Sequence, residues 1–253
     1  MPTEQEQKRR RGIYLLPNLF TTAALFAGFY AIVAAMGGRF EAAAVAIYVA
    51  MVLDGADGRV ARMTSTESEF GAEYDSLSDV ISFGLAPALV LYLWSLSELG
   101  KLGWLAAFVY VAATALRLAR FNTQIGNADK RYFQGLPSPP AAAVAAGLVW
   151  VGAEYGLGGL SLGVVSFVVA IALGLLMVSN IRYRSFKEFD PRGRVPFVAV
   201  LVVVAIISFI SIDPAVVLFV VFSVFAVSGP VMTLIGLRQR RRERKLARDR
   251  AQS

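Results

Sequence analysis

The chain is 253 residues long, 57% apolar and 17% charged, with a mean hydropathy of +0.59; an ordinary soluble domain is far less apolar. It has no cysteine and no histidine, which excludes disulfides, thiolate chemistry and imidazole ligands. A general base must then be a carboxylate, Lys or Tyr, and a metal site must be built from oxygen. A net charge of +7 could suit a nucleic acid, but the cations form membrane-flanking clusters, with no recognisable nucleic-acid fold and no aromatic interleaving.

Lys8, Arg9, Arg10 and Arg11 precede the first apolar run, residues 13–36. It is too long for a signal-peptide core and lacks a clear cleavage site, so it reads as a retained helix. Further runs near spanning length follow at 42–61, 75–96, 102–119, 140–155, 160–178, 195–210 and 214–237, the one at 140–155 being short. The expectation is an all-α integral membrane protein, a bundle of about eight transmembrane helices. It forms a single domain over 1–253, with a basic N-terminus at 1–12, a basic tail at 238–253 and no internal repeat.

Of the 25 Lys and Arg residues, all but Arg39 and Lys101 fall in one alternating set of loops and termini. That bias predicts cytoplasmic termini and a cytoplasmic-face active site in a cell (plasma) membrane protein. The tail reads as a stop-transfer anchor attracted to anionic lipid.

At the facing mouths of the second and third spans lie Asp54, Asp57, Asp75 and Asp79. A charge at membrane depth costs roughly 2.5–3.5 kcal/mol even on the lenient insertion scale, so it usually has a functional partner. Asp54 and Asp57 are i, i+3 and Asp75 and Asp79 are i, i+4, so each pair shares one helix face. Gly58, Ala61 and Arg62 follow on the face of the first pair, and Gly71 precedes Asp75 by one turn. Small residues there leave room for a ligand or a close helix contact. Two facing carboxylate pairs suit hard divalent cations, and two such cations can clamp a phosphate or pyrophosphate during in-line displacement. Read as helix caps or solvated charges, four carboxylates at this spacing would go unexplained.

The pattern Asp-x2-Asp-Gly-x2-Ala-Arg-x8-Gly-x3-Asp-x3-Asp resembles the signature of the CDP-alcohol phosphotransferases, and the chain matches every fixed position. The resemblance implies a CDP-linked lipid donor, an alcohol acceptor and release of CMP. It further implies a divalent metal cofactor, Mg or Mn and two ions, held by Asp54, Asp57, Asp75 and Asp79. Asp79 would also be the proton acceptor. Gly58, Ala61 and Gly71 would let the CDP-lipid approach, Arg62 would pair with a phosphate, and Ser68 matches a hydroxyl that contacts the donor. Pro17-Asn18-x2-Thr21 resembles an element near the nucleotide, placing Asn18 and Thr21 there. Family members are similar to dimers, so a homodimer is expected.

Three more stretches, 117–122, 133–141 and 177–187, resemble the branch of the family that uses L-serine, the phosphatidylserine synthases; with the quartet the resemblance covers roughly residues 12–190. The implied partners are CDP-diacylglycerol, L-serine and membrane lipid, with no nucleic acid. Arg120, Arg182 and Lys187 are candidates for the serine carboxylate, and Asn122 and Ser138 could orient it. Arg184, Arg192 and Arg194 read as ordinary positive-inside cations. Glycerol 3-phosphate or an inositol phosphate as acceptor would also need cations. A transporter with intramembrane carboxylates is the reading from another class, but it would show broken helices or repeated halves near the midplane. The last two spans carry no motif.

Overall fold

The computed structural model describes residues 4–64, 66, 68–123, 132–157, 160–184, 208–209 and 211–252. Helix α1 (Glu4–Met36) ends where Gly38 takes a left-handed φ of 72° and Arg39 N–H returns to the Ala34 carbonyl at 2.9 Å. Glycine adopts that conformation without strain and so closes helices. The chain reverses at once into α2 (Phe40–Thr64). On α1, Ala24, Ala27, Ala31, Ala34 and Ala35 are buried on one face, and α2 buries Ala43, Ala44, Ala46, Ile47 and Ala50. Such small side chains let helix backbones approach closely.

The third rod is α3 (Glu69–Asp79), a π-helical turn (Val80–Leu85) and α4 (Ala86–Trp94) in unbroken succession. It starts earlier than the expected span at 75, because Ser68 caps it: the Ser68 backbone is extended and its Oγ accepts from Gly71 N–H at 3.1 Å. The π turn packs tightly on α1. A Cβ added at Gly28 would fall 2.8 Å from Ser82 Cα. Ser78 and Ser82 donate to the Thr21 and Ala24 carbonyls at 3.3 and 3.2 Å. After a 3-10 turn (Leu96–Leu99), α5 (Lys101–Thr123) runs back; its buried Tyr110 donates to the Phe83 carbonyl of the π turn at 3.1 Å.

Helix α6 (Ser138–Glu154) is the most enclosed element, burying Ala141 to Ala146 in succession. Tyr48 donates to its Ala143 carbonyl at 2.7 Å. Helix α7 (Leu160–Val178) and the long α8 (Pro214–Gln252) complete the bundle. One feature lies outside the all-helical expectation: strands β1 (Tyr132–Gln134) and β2 (Arg182–Arg184) form an antiparallel ribbon, Phe133 facing Tyr183. Buried Tyr183 fastens the ribbon to α8, donating to the Ala226 carbonyl at 2.9 Å.

Among the described residues, five helical segments are long and apolar enough to cross a membrane: Pro17–Met36, Glu69–Trp94, Lys101–Thr123, Leu160–Val178 and Pro214–Ile235. Their large exposed side chains, such as Phe26, Phe29, Trp104, Phe108, Val168 and Val224, suit hydrocarbon rather than water. Of the eight expected spans, two are helices that fall short of that measure. α2 carries the polar cluster around Asp54 and Asp57, and α6 has only 17 residues. The expected span 195–210 lies almost wholly outside the described residues. With α3 and α4 counted as one rod, the helices from α1 to α7 alternate in direction, so Asp54 to Asp79, the end of α5, the start of α6 and the end of α7 share one end of the bundle. Arg39, which lies 5.7 Å over the Tyr30 ring, and Lys101 occupy the other.

Candidate active site

The carboxylates come from two helices that meet at one end of the bundle. The oxygens of Asp54, Asp57 and Asp75 lie within 4.8 Å of one another. Asp79 joins them through Asp54, whose carboxyl sits against those of both Asp75 and Asp79. Asp57 is buried and the other three are half-buried. Such crowding is costly away from water unless partners compensate it. Thr21 supplies one, donating to Asp57 Oδ2 at 2.8 Å while also reaching the Pro17 carbonyl at 3.2 Å. Arg117 of α5 supplies another, acting through space on Asp79 and Asp54. Asp75 Oδ1 has none: it is buried without a hydrogen-bond partner among the described residues. An orphaned carboxylate oxygen within an all-oxygen donor set fits a hard divalent cation.

On the α1 side, a Cβ at Gly71 would meet Ser68 Oγ at 3.1 Å and Asn18 Oδ1 at 3.5 Å. Gly71 therefore keeps open a narrow place between α1 and α3. Gly55 has nothing within 4 Å of where a Cβ would stand, and at Gly58 only Arg62 Nη1 comes near, at 3.7 Å. Exposed Arg62 thus leans back one turn over an open helix face; Ala61 is half-buried on that turn, its carbonyl accepting from Thr66 N–H at 3.0 Å.

The expected acceptor residues divide. Ser138 is fully buried at the start of α6 and accepts from Arg117 Nη1 at 2.7 Å. Arg120 Nη1 donates to the Val178 carbonyl at 3.0 Å and reaches Asn180 Oδ1 at 3.5 Å, so its guanidinium caps the end of α7. Asn122 Nδ2 donates to Ser76 Oγ at 2.9 Å, tying α5 to the turn between Asp75 and Asp79. Arg182 lies in β2 with its side chain outside the described residues, and Lys187 lies outside them altogether.

Sequence reading passed over three contributors. Arg117 stands three residues before Arg120, so shared helix spacing could have singled it out. Ser76 and the Thr22–Tyr74 hydroxyl pair, 2.9 Å apart, gave no signal, because their partners lie on other helices.

The family described as CDP-alcohol phosphatidyltransferase matches residues 14–183. A CDP-diacylglycerol--serine O-phosphatidyltransferase of Helicobacter pylori is 42% identical over 178 residues, covering 70% of this chain and 74% of that protein. One of Mycobacterium tuberculosis is 37% identical over 207 residues, 78% of this chain and 71% of its own. An archaetidylserine synthase of Methanothermobacter thermautotrophicus is 34% identical over 178 residues, with 70% and 72% covered. A match over most of the chain, spanning every carboxylate of the site, makes this protein a member of the CDP-alcohol phosphatidyltransferase family.

Proposed function

We propose that this chain transfers the phosphatidyl group of CDP-diacylglycerol to the hydroxyl of L-serine, forming phosphatidylserine and CMP. The observation that carries the reading is the buried, unpartnered Asp75 Oδ1 beside Asp54 and Asp57 on the family's signature. The relatives' names support serine as the acceptor.

Asn18, Gly58, Ala61, Arg62, Ser68 and Gly71 border the open face that receives the CDP head, while the lipid tails stay in the leaflet. Arg62 pairs with a phosphate of the donor. Asp54, Asp57 and Asp75 hold divalent cation, Mg or Mn and two ions, with Thr21 fixing the Asp57 carboxylate. Bound there, the metal would cancel charge on the pyrophosphate and on the departing CMP. In this reading Asp79, whose carboxyl lies against that of Asp54, completes the metal-holding set, orients the serine hydroxyl and takes its proton. The serine oxygen forms a bond to the phosphorus bearing diacylglycerol, the bond from that phosphorus to the bridging oxygen breaks, and CMP leaves with the electron pair. A serine hydroxyl is far less acidic than a carboxylic acid, so the proton moves late, as attack proceeds.

The protein acts as a cell-membrane homodimer of eight-span subunits, with both termini and the site end facing the cytoplasm, as the Lys and Arg bias predicts. The deciding experiment incubates purified protein with CDP-diacylglycerol, Mg or Mn and a panel of alcohols, and identifies the lipid formed. Phosphatidylserine is expected. Reaction with glycerol 3-phosphate or an inositol phosphate but not serine would overturn the acceptor assignment and leave the transfer chemistry standing. The archaetidylserine synthase relative makes an ether-linked CDP-lipid the second donor to try.

A further inference from the structure

Helices α3 and α5 lie antiparallel, and two contacts fix their register. Gly84 abuts Thr114, where a Cβ on the glycine would fall 3.2 Å from Thr114 Cγ2. Asn122 Nδ2 reaches Ser76 Oγ at 2.9 Å. Asp79 lies between Ser76 and Gly84 on one rod, and Arg117 between Thr114 and Asn122 on the other. The register therefore brings Arg117 within two residues of the level of Asp79, about 3 Å of helix rise. Its Nη1 is held by the buried Ser138 hydroxyl at 2.7 Å. Among the described residues, no hydrogen bond or ion pair closes Arg117 onto either Asp54 or Asp79, although it acts on both through space. A guanidinium anchored on one nitrogen retains donors for a ligand, and its planar fork matches a carboxylate. Arg120, the expected partner for that group, is turned instead to the Val178 carbonyl.

We propose that Arg117, anchored on Ser138 and within reach of Asp79, holds the acceptor's carboxylate and thereby aims its hydroxyl at the proton-accepting carboxylate. This rests on the serine reading. In serine the carboxylate carbon is two bonds from the carbon that bears the hydroxyl, so a fixed guanidinium beside Asp79 restricts where the hydroxyl oxygen can sit.

The test uses the full-length protein with CDP-diacylglycerol and two acceptors, L-serine and L-serinamide, whose neutral amide replaces the carboxylate. Wild type should favour serine at least about tenfold in kcat/KM, as expected for loss of a charge-assisted pairing. Arg117→Ala should raise the serine KM at least about tenfold, leave the donor KM within about twofold, and erase the preference over serinamide. Arg117→Lys should retain part of the preference. The proposal is overturned if Arg117→Ala keeps the preference, if the loss falls on the donor KM, or if kcat drops equally for both acceptors. Should Arg117→Ala fail to elute as folded protein, Arg117→Lys and Ser138→Ala carry the test, and an unchanged serine KM in both overturns it. If wild type makes no phosphatidylserine, the serine reading fails and takes this inference with it. If it does, and the variants behave as wild type, only the role of Arg117 fails.

Discussion

Thr21 shows how a single side chain tunes the site. Its hydroxyl pins Asp57 Oδ2 at 2.8 Å, so Thr21→Val, similar in shape, leaves the carboxylate free to swing. The expected outcome is a roughly tenfold rise in the Mg or Mn concentration needed for half-maximal rate, from loss of one hydrogen bond to a charged group. A metal titration of wild type and variant checks it; an unchanged midpoint would mean that Asp57 is held by its helix alone. Asp75→Asn should abolish metal-dependent turnover, because an amide cannot replace the carboxylate whose oxygen is orphaned, and excess chelator should do the same to wild type. Asp79→Asn separates binding from chemistry. It should retain CDP-lipid binding and lose about 10²–10⁴-fold in transfer, the usual effect of removing a positioned base. Turnover near the wild-type rate would assign the proton to another acceptor.

Among the elements, the π turn and the ribbon do what regular helices could not. The π turn follows Asp79 directly and is gripped from both sides, by Ser82 against Gly28 on α1 and by Tyr110 on α5. π turns occur often at functional sites because they shift the register of what precedes them. Gly28→Val should push α1 from this turn and disturb Thr21 and Asp57 together, lowering both thermal stability and metal affinity. A variant as stable as wild type would show that the close approach relaxes freely. Just after β1, Gly135 has φ of 76° and its N–H bonds the Ile181 carbonyl at 2.8 Å, while a Cβ would strike the Met177 carbonyl. Gly135→Ala should therefore cost at least about 1–2 kcal/mol, or several degrees of Tm for a chain of this size, read by thermal unfolding in detergent. Tyr183 sits in the ribbon itself, and burial pushes its phenol up to about 12, so it remains a neutral donor to the Ala226 carbonyl at any working pH.

At the scale of the whole molecule, the two ends of the bundle differ in chemistry, and the difference predicts orientation. The chain lacks cysteine, so single cysteines can be placed at exposed Ser97, at the far end, and exposed Thr123, at the site end. A membrane-impermeant thiol reagent applied to intact cells should label Ser97→Cys and spare Thr123→Cys until the membrane is opened. The reverse pattern would place the site outside. The exposed apolar side chains of α1, α5, α7 and α8 face lipid in this arrangement. Cross-linking in vesicles then reports whether part of that surface is shared between two subunits.

The carboxylate quartet was legible in the sequence because its information is local. Positions i, i+3 and i, i+4 share a helix face whatever surrounds them, and each pair needed only its own helix to form. The grouping of basic loops was likewise readable, since charge asymmetry acts on insertion segment by segment. What only the tertiary structure decided concerns residues brought together from different helices. It set Thr21 on Asp57 and Arg117 on Ser138, turned Arg120 to the end of α7, and joined 132–134 to 182–184 as a ribbon. It also moved the start of the third rod back to Glu69 and put a π turn after Asp79. No periodicity announces these features, because they follow from where small residues such as Gly28, Gly84 and the alanines of α6 let one backbone approach another.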